Sequence, residues 1–453
     1  MKAGLVVKNA VVASLAVSAC TFSHTSAATE VITLSEKDSR YRRLAEIQEA
    51  ICGSESTHLC DVDSDMCISN FTRSLEQKPS GKTVNEKEKA DLIEEICKVR
   101  ATPFEITGLH WLFKKRLDLL QRNVASLGIT LPNVVVGALP AREVGAEMAA
   151  KTSDSDAVVL VNVRFLQFAT MMSDLAFRTV PHKVEAVDRQ SFDLSEKAGE
   201  ELILAHPELG ERLFAILDLM RKDNVPVFYL PSSTLVGAEI SDYMSPYYSE
   251  MIQAFAIAHE IGHVYYGHGA SSLNFAELAA SVEKFFQWGD PPVNRAIAEL
   301  EADGFAIKLL RQVGETPSES DEVNSPYGCA LSAVQFYFIA RGILGEAAIG
   351  ANQSEPDGPP EVGNDEDVAS IANCIVSDKC RVRDLANLSH DLVTGGQHPS
   401  DSFRRRVVER AIADHPPQPF PQWAGVCQVA SRNLELLWEL SRDEYYGRKS
   451  WFE

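Results

Sequence analysis

Apolar residues recur at helical steps along most of this chain, and only a few short runs have the branched, uninterrupted character of strands. Leu109, Phe113, Leu117, Leu120 and Val124 follow one another at three- and four-residue intervals with charged positions between them, which predicts a long amphipathic helix between Pro103 and Leu127. Strand-like runs stand at Asn133 to Gly137, Ala157 to Val163 and Val225 to Leu230, the last beyond a helical stretch from Ser195 to Arg221. The segment Met244 to Gly269 predicts another helix, with Ser245 as N-cap, Pro246 at the first helical position, and Gly267 and Gly269 as its stop. Further helices are expected from about Val293 to Val313, from Ala330 to Leu344, and from Phe403 onward. The Pro-, Gly- and acid-rich stretch 350–368 reads as a solvated loop. The pattern predicts an α+β fold, mostly helical with a small sheet. Residues 29–102 form a Cys-rich helical attachment with short helical patterns around Leu44 and Ile96, 103–413 form the main domain, and 414–453 form a C-terminal extension.

Composition narrows the functional classes. The chain has 453 residues, of which 45% are hydrophobic, enough for a large core. Lys and Arg number 43 against 64 Asp and Glu, and the net charge of −21 disfavours nucleic acid and polybasic membrane docking. Lys2 and Lys8 precede an apolar run from Ala10 to Ala19, too short to span a bilayer and of the length of a signal-peptide core, so residues 1–28 are expected to be an export signal. Two processing sites compete: Val17-Ser18-Ala19-Cys20 resembles a lipobox, in which Cys20 would carry a lipid anchor, and Ser26-Ala27-Ala28 suits ordinary signal peptidase. The expected location is the periplasm, the outer membrane as a lipoprotein, or the exterior.

Removal of Cys20 leaves eight cysteines in two groups, Cys52, Cys60, Cys67 and Cys97 in front and Cys329, Cys374, Cys380 and Cys427 behind. The even split predicts two disulfides within each group, as suits an oxidising compartment. The absence of any CxxC disfavours a Cys-based zinc ribbon.

The chemistry concentrates at residues 259–263, His-Glu-Ile-Gly-His. On a helix His259 and His263 stand one turn apart on one face, so both imidazoles can reach a single zinc ion, while Glu260 can take the proton of a water held there. A catalytic zinc site needs a third protein ligand. Glu299-Leu300-Glu301-Ala302-Asp303 offers one: Glu299 can complete the set, and Asp303, four residues on, can accept the second N–H of a ligand histidine. Glu301 points about 200° away from Glu299 and has no evident partner. His268, about 180° around the helix from His259, is a poor ligand candidate, and Tyr265 and Tyr266 read first as packing residues.

His-Glu-Ile-Gly-His-Val with Gly-His-Gly following, and then Glu-Leu-Glu-Ala-Asp-Gly-Phe-Ala, resemble the prenyl-protease and heat-shock-protease family of gluzincin metallopeptidases, more distantly similar to thermolysin. The segment His398-Pro399-Ser400-Asp401-Ser402-Phe403-Arg404 resembles that family's His-Pro-x4-Arg element. The resemblance implies a zincin-like core, one zinc per chain, and a protein or peptide substrate. It also implies that His398 and Arg404 line the cleft, where either could stabilise the oxyanion formed on a peptide carbonyl. The metzincin pattern is excluded, because it needs Gly at 266 and His at 269 where this chain has Tyr266 and Gly269. The expected activity is that of an exported zinc endopeptidase. The rival is a zinc-bearing chaperone or adaptor that binds envelope proteins without cutting them.

Overall fold

The computed structural model describes residues 32–54, 96–105, 108–124, 127–139, 148–151, 156–186, 189–221, 238–268, 295–315, 329–349, 364–377, 399–414 and 421–449, with Cys380, Val382, Leu385 and Leu388. The expected export signal with Cys20, the strand run at 225–230, most of the acidic stretch and His398 lie outside these residues.

In chain order the elements are β1 (Ile32–Thr33), α1 (Ser39–Ser54), β2 (Val99–Arg100), α2 (Leu109–Val124), β3 (Asn133–Leu139), β4 (Met148–Lys151), β5 (Asp156–Asn162) and α3 (Val163–Arg178). There follow β6 (His182–Ala186), β7 (Arg189–Phe192), α4 (Glu196–Ala205), α5 (Glu208–Arg221), α6 (Ala238–Tyr266) and α7 (Arg295–Glu315). The chain continues through α8 (Ala330–Ile349), α9 (Asp365–Val376), α10 (Asp401–Asp414) and α11 (Pro421–Lys449). The described fold is thus mostly helical with small sheets, the largest three-stranded in the order β3-β5-β4, with β3 parallel and β4 antiparallel to the central β5. Ala157 to Val161 of β5 are all buried, which is why the run carries no alternation.

The edge of β3 is covered by side chains from the front of the chain. Ala138 donates its N–H to Glu105 Oε1 at 2.7 Å, and its carbonyl accepts from Gln48 Nε2 at 2.6 Å. All three residues are buried, so a ladder that would otherwise be open is satisfied by α1 and the segment after β2.

α6 is the organising element. It packs most extensively against α7 and α3, and also meets α8, α2 and the sheet. Tyr248 sits at the centre with 1% exposure, donating its hydroxyl to the Ser332 carbonyl at 2.8 Å and sharing a hydrogen bond with Ser431 at 2.7 Å. This polar anchor joins α6, α8 and α11. A second link is the buried ion pair of Arg116 on α2 with Glu250 on α6, 2.9 Å.

Four departures from the expected elements have physical reasons. α6 does not start at Ser245: it begins at Ala238 and runs through Pro246. Pro246 is solvent-exposed, whereas Ile240, Ser241 and Met244 before it and Tyr248 and Met251 after it are buried at helical spacing, so packing outweighs one lost backbone bond. α3 has no counterpart in the expected elements although Phe165, Phe168, Ala169, Met172, Leu175 and Ala176 recur at helical steps, because it follows β5 directly and its first residue continues that strand's apolar run; Asn162 caps it by accepting from the Arg164 and Phe165 amides. The stretch 195–221 is two helices, broken at His206-Pro207, where proline cannot donate. α9 begins within the stretch expected as an acidic loop, behind a capping box of Asn364 and Asp367.

The described residues from Ile32 onward belong to one compact unit, and α11, in the expected C-terminal extension, packs on α8, α3, α4 and α5. A disulfide joins Cys427 of α11 to Cys329 ahead of α8, and another joins Cys374 to Cys380, so the rear cysteines pair within their own group. Cys97 is disulfide-bonded as well. Among the described residues no helix is long and apolar enough to cross a membrane.

Candidate metal centre

The last turns of α6 and the first turns of α7 touch at Gly262, inside the His-Glu-Ile-Gly-His segment. A Cβ there would stand 2.9 Å from Ala302 Cα and 3.1 Å from its carbonyl oxygen, so only glycine allows this approach without displacing backbone. The small residues Gly262 and Ala302 thereby bring Glu299 and Asp303, one helical turn apart on α7, against the histidines of α6. Gly262→Ala is expected to force the helices apart at a cost of about 1–3 kcal/mol. Thermal unfolding should shift down by several degrees and metal uptake should weaken with it; unchanged unfolding and uptake would show that the helices do not meet there.

All the acids of Glu299-Leu300-Glu301-Ala302-Asp303 are buried, as are His259, Glu260 and His263. They are therefore not a solvated helix face, and buried carboxylates require partners. Asp303 Oδ1 accepts from His259 Nδ1 at 2.9 Å, which leaves His259 Nε2 turned toward the other donors. The Nε2 atoms of His259 and His263 lie 3.1 Å apart. Glu299 brings Oε2 to 3.2 Å from His259 Nε2 and Oε1 to 3.6 Å from His263 Nε2.

These spacings test whether the residues suit a metal. Donors about 2.0–2.1 Å from a tetrahedral centre stand roughly 3.3–3.4 Å from one another. The three converging side chains have mutual distances close to that edge. Glu260 is also near, since one ligand atom from each of His259, Glu260 and His263 lies within 4.8 Å of the others. The set of two imidazoles and a carboxylate could hold a borderline-soft divalent cation, with Glu260 beside it.

Electrostatics favours positive charge here. Burial opposes protonation of His259, yet the hydrogen bonds and charges of Asp303 and Glu299 outweigh it and raise the imidazole to about 10. A proton and a metal ion would compete for the same nitrogen. Burial lowers His263 to about 3, keeping that ring neutral and able to act as a ligand. Burial works against the charge of Asp303, but Arg404 and His259 outweigh it and hold the carboxyl down to about 2. Among the described residues, four buried carboxylates of α6 and α7, Glu260, Glu299, Glu301 and Asp303, stand with two buried cationic groups, Arg404 and His259 with its raised pKa. A divalent cation would offset much of that negative excess.

Arg404 reaches the centre from α10, 101 residues beyond Asp303. Its expected role as oxyanion partner does not suit its geometry. Nε donates to Asp303 Oδ2 at 2.7 Å and Nη2 to Asp303 Oδ1 at 2.6 Å; Nη2 also lies 3.6 Å from Glu299 Oε2, and Nη1 lies 4.0 Å from Asp401. The guanidinium stacks over Phe338 at 4.7 Å and is 1% exposed. With its donors aimed at carboxylates and no open face, it clamps the acids of α7.

The sequence reading of His268 and Glu301 is also corrected. His268 is not on the helix wheel, because α6 ends at Tyr266 and Gly267 turns left-handed, with φ 71. The Gly267 amide bonds to the Val264 carbonyl at 3.2 Å and the His268 amide to the His263 carbonyl at 2.9 Å, a Schellman closure. The chain folds back, and His268 is buried with its Nδ1 3.2 Å from His263 Nδ1. Glu301 does have a partner: its Oε2 lies 2.8 Å from His268 Nε2. The signal was present in Gly267, which marks a helix end and so removes His268 from the 100° progression. Tyr266 stacks on His268, and Tyr265 lies at the same helix end, 40% exposed and against Phe305.

The chain matches no protein-family model, no curated protein and no solved structure.

Proposed function

We propose that this chain is an exported zinc-dependent endopeptidase with a zincin-like core, acting on proteins or peptides. The observation that carries the reading is the convergence of His259 Nε2, His263 Nε2 and the Glu299 carboxylate at separations of 3.1 to 3.6 Å inside the protein. These three side chains would hold the zinc. When bound, zinc supplies a Lewis acid that brings water ionisation to about pH 7 and polarises a carbonyl.

The chain's own groups do the rest. Glu260, buried beside the donor set, takes a proton from the attacking water on its carboxylate and returns it to the departing amine. Asp303 holds His259 through Nδ1, fixing the tautomer that offers Nε2. Arg404 keeps Asp303 ionised and braces Glu299. With Arg404 engaged, the resemblance leaves His398, outside the described residues, as the candidate for the oxyanion. Export is supported by the disulfides of Cys329, Cys374, Cys380, Cys427 and Cys97.

The test is cleavage of unfolded casein by the purified protein, with and without a chelator. Cleavage that stops on chelation and returns with added zinc is expected. Stoichiometric zinc without cleavage would transfer the reading to the chaperone or adaptor.

A further inference from the structure

We propose that His268 and Glu301 are positioning residues for this centre, forming a relay that orients His263 and fixes its tautomer; the inference rests on the metal-centre reading above. His259 and His263 both present Nε2 to the donor set, and each therefore needs something to hold its Nδ1–H. Asp303 does so for His259. For His263 the atom at Nδ1 is the Nδ1 of another imidazole, 3.2 Å away.

Two neutral imidazoles can share that contact only if one donates and the other accepts. The direction is set by Glu301, because a carboxylate can only accept. Its 2.8 Å contact places the His268 proton on Nε2. With that proton on Nε2, His268 offers Nδ1 as an acceptor, to which His263 can donate from Nδ1 while leaving Nε2 open toward His259 and Glu299. Each hydrogen bond points away from the centre, from His263 to His268 to Glu301. Both side chains of the His268–Glu301 pair are 1% exposed, so water does not substitute for either partner.

The backbone is arranged for this contact. Gly267, at φ 71, directs the chain back under the helix end, and the stack of Tyr266 on His268, with centroids 5.6 Å apart, fixes the ring plane. α7 thus serves the two ligand histidines from two positions: Asp303 directly, and Glu301 through an intervening imidazole. Outer partners of this kind typically contribute ten- to a hundredfold to metal affinity.

The test uses the full chain and the metals alone, Zn2+ by competition with a chelating dye and Co2+ by its visible absorption, with unfolding curves as the control for folding. His268→Phe keeps the ring stack and removes the acceptor. The double variant His268→Phe with Glu301→Met removes both partners together, so that no buried carboxylate is stranded if the single variant fails to fold. His268→Asn restores an acceptor near the position of Nδ1. Expected are a loss of about ten- to a hundredfold in affinity and an altered Co2+ spectrum for the folded Phe variants, with His268→Asn recovering most of both. Wild-type affinity in a folded Phe variant, or an Asn variant as weak as Phe, overturns the relay and leaves the metal centre standing. Wild-type protein that takes up no metal defeats the underlying reading, and the relay with it.

Discussion

Glu260→Gln should keep its zinc and lose peptidase activity by about a hundredfold or more. The substitution preserves shape and leaves His259, His263 and Glu299 in place, so the donor set at 3.1 to 3.6 Å is undisturbed. What disappears is a carboxylate that can take the proton of the attacking water and return it to the departing amine; an amide has no basicity near neutral pH. General-base removal typically costs 10²–10⁴-fold, and here the site is buried, so bulk water does not readily replace it. Zinc content by elemental analysis together with casein cleavage checks both halves. Near wild-type cleavage would reject the hydrolytic role of Glu260, and loss of zinc would make Glu260 a ligand.

Glu299→Ala should abolish stable zinc binding, as should His259→Ala or His263→Ala. Each removes one of the three proposed donors, and Glu299 contributes an oxygen to each histidine nitrogen's surroundings. The comparison with Glu301→Ala is the informative one. Glu301 acts behind His268, so its loss should weaken zinc by about ten- to a hundredfold, whereas loss of Glu299 should exceed that range. Metal titrations on the two variants distinguish the registers: tight zinc in Glu299→Ala with none in Glu301→Ala would place the ligand on the other face of α7.

Much of this arrangement is legible in the order of residues, because its parts obey local rules. Two histidines four apart on a helix share a face, and so do Glu299 and Asp303, and the structure brings the two pairs together with Glu260. Helix α2 and strands β3 and β5 lie close to where spacing and β-branching put them. Local rules fail where tertiary packing decides. Pro246 reads as a helix start, but buried neighbours on both sides carry the helix through it. Helix α3 has a clear helical period from Phe165 to Ala176, but it follows β5 without an intervening turn residue other than its cap Asn162, so its start is hidden in the strand's apolar run.

The role of Arg404 was illegible for a different reason. A guanidinium near a cleft can serve substrate or scaffold, and only the two short contacts to Asp303 decide between them. A helical wheel carried two residues past the end of α6 misplaces His268, although Gly267 marks the stop in the sequence. Positions of glycine carry more here than their chemistry suggests: Gly262 sets the distance between α6 and α7, and Gly267 sets the direction of His268.

The most direct measurement is anomalous scattering at the zinc edge from crystals of the protein as purified. One peak per chain is expected, about 2.0–2.2 Å from His259 Nε2, His263 Nε2 and a Glu299 carboxylate oxygen. No peak at these residues, or one held by Glu301 or His268 in their place, would contradict the assignment of this centre.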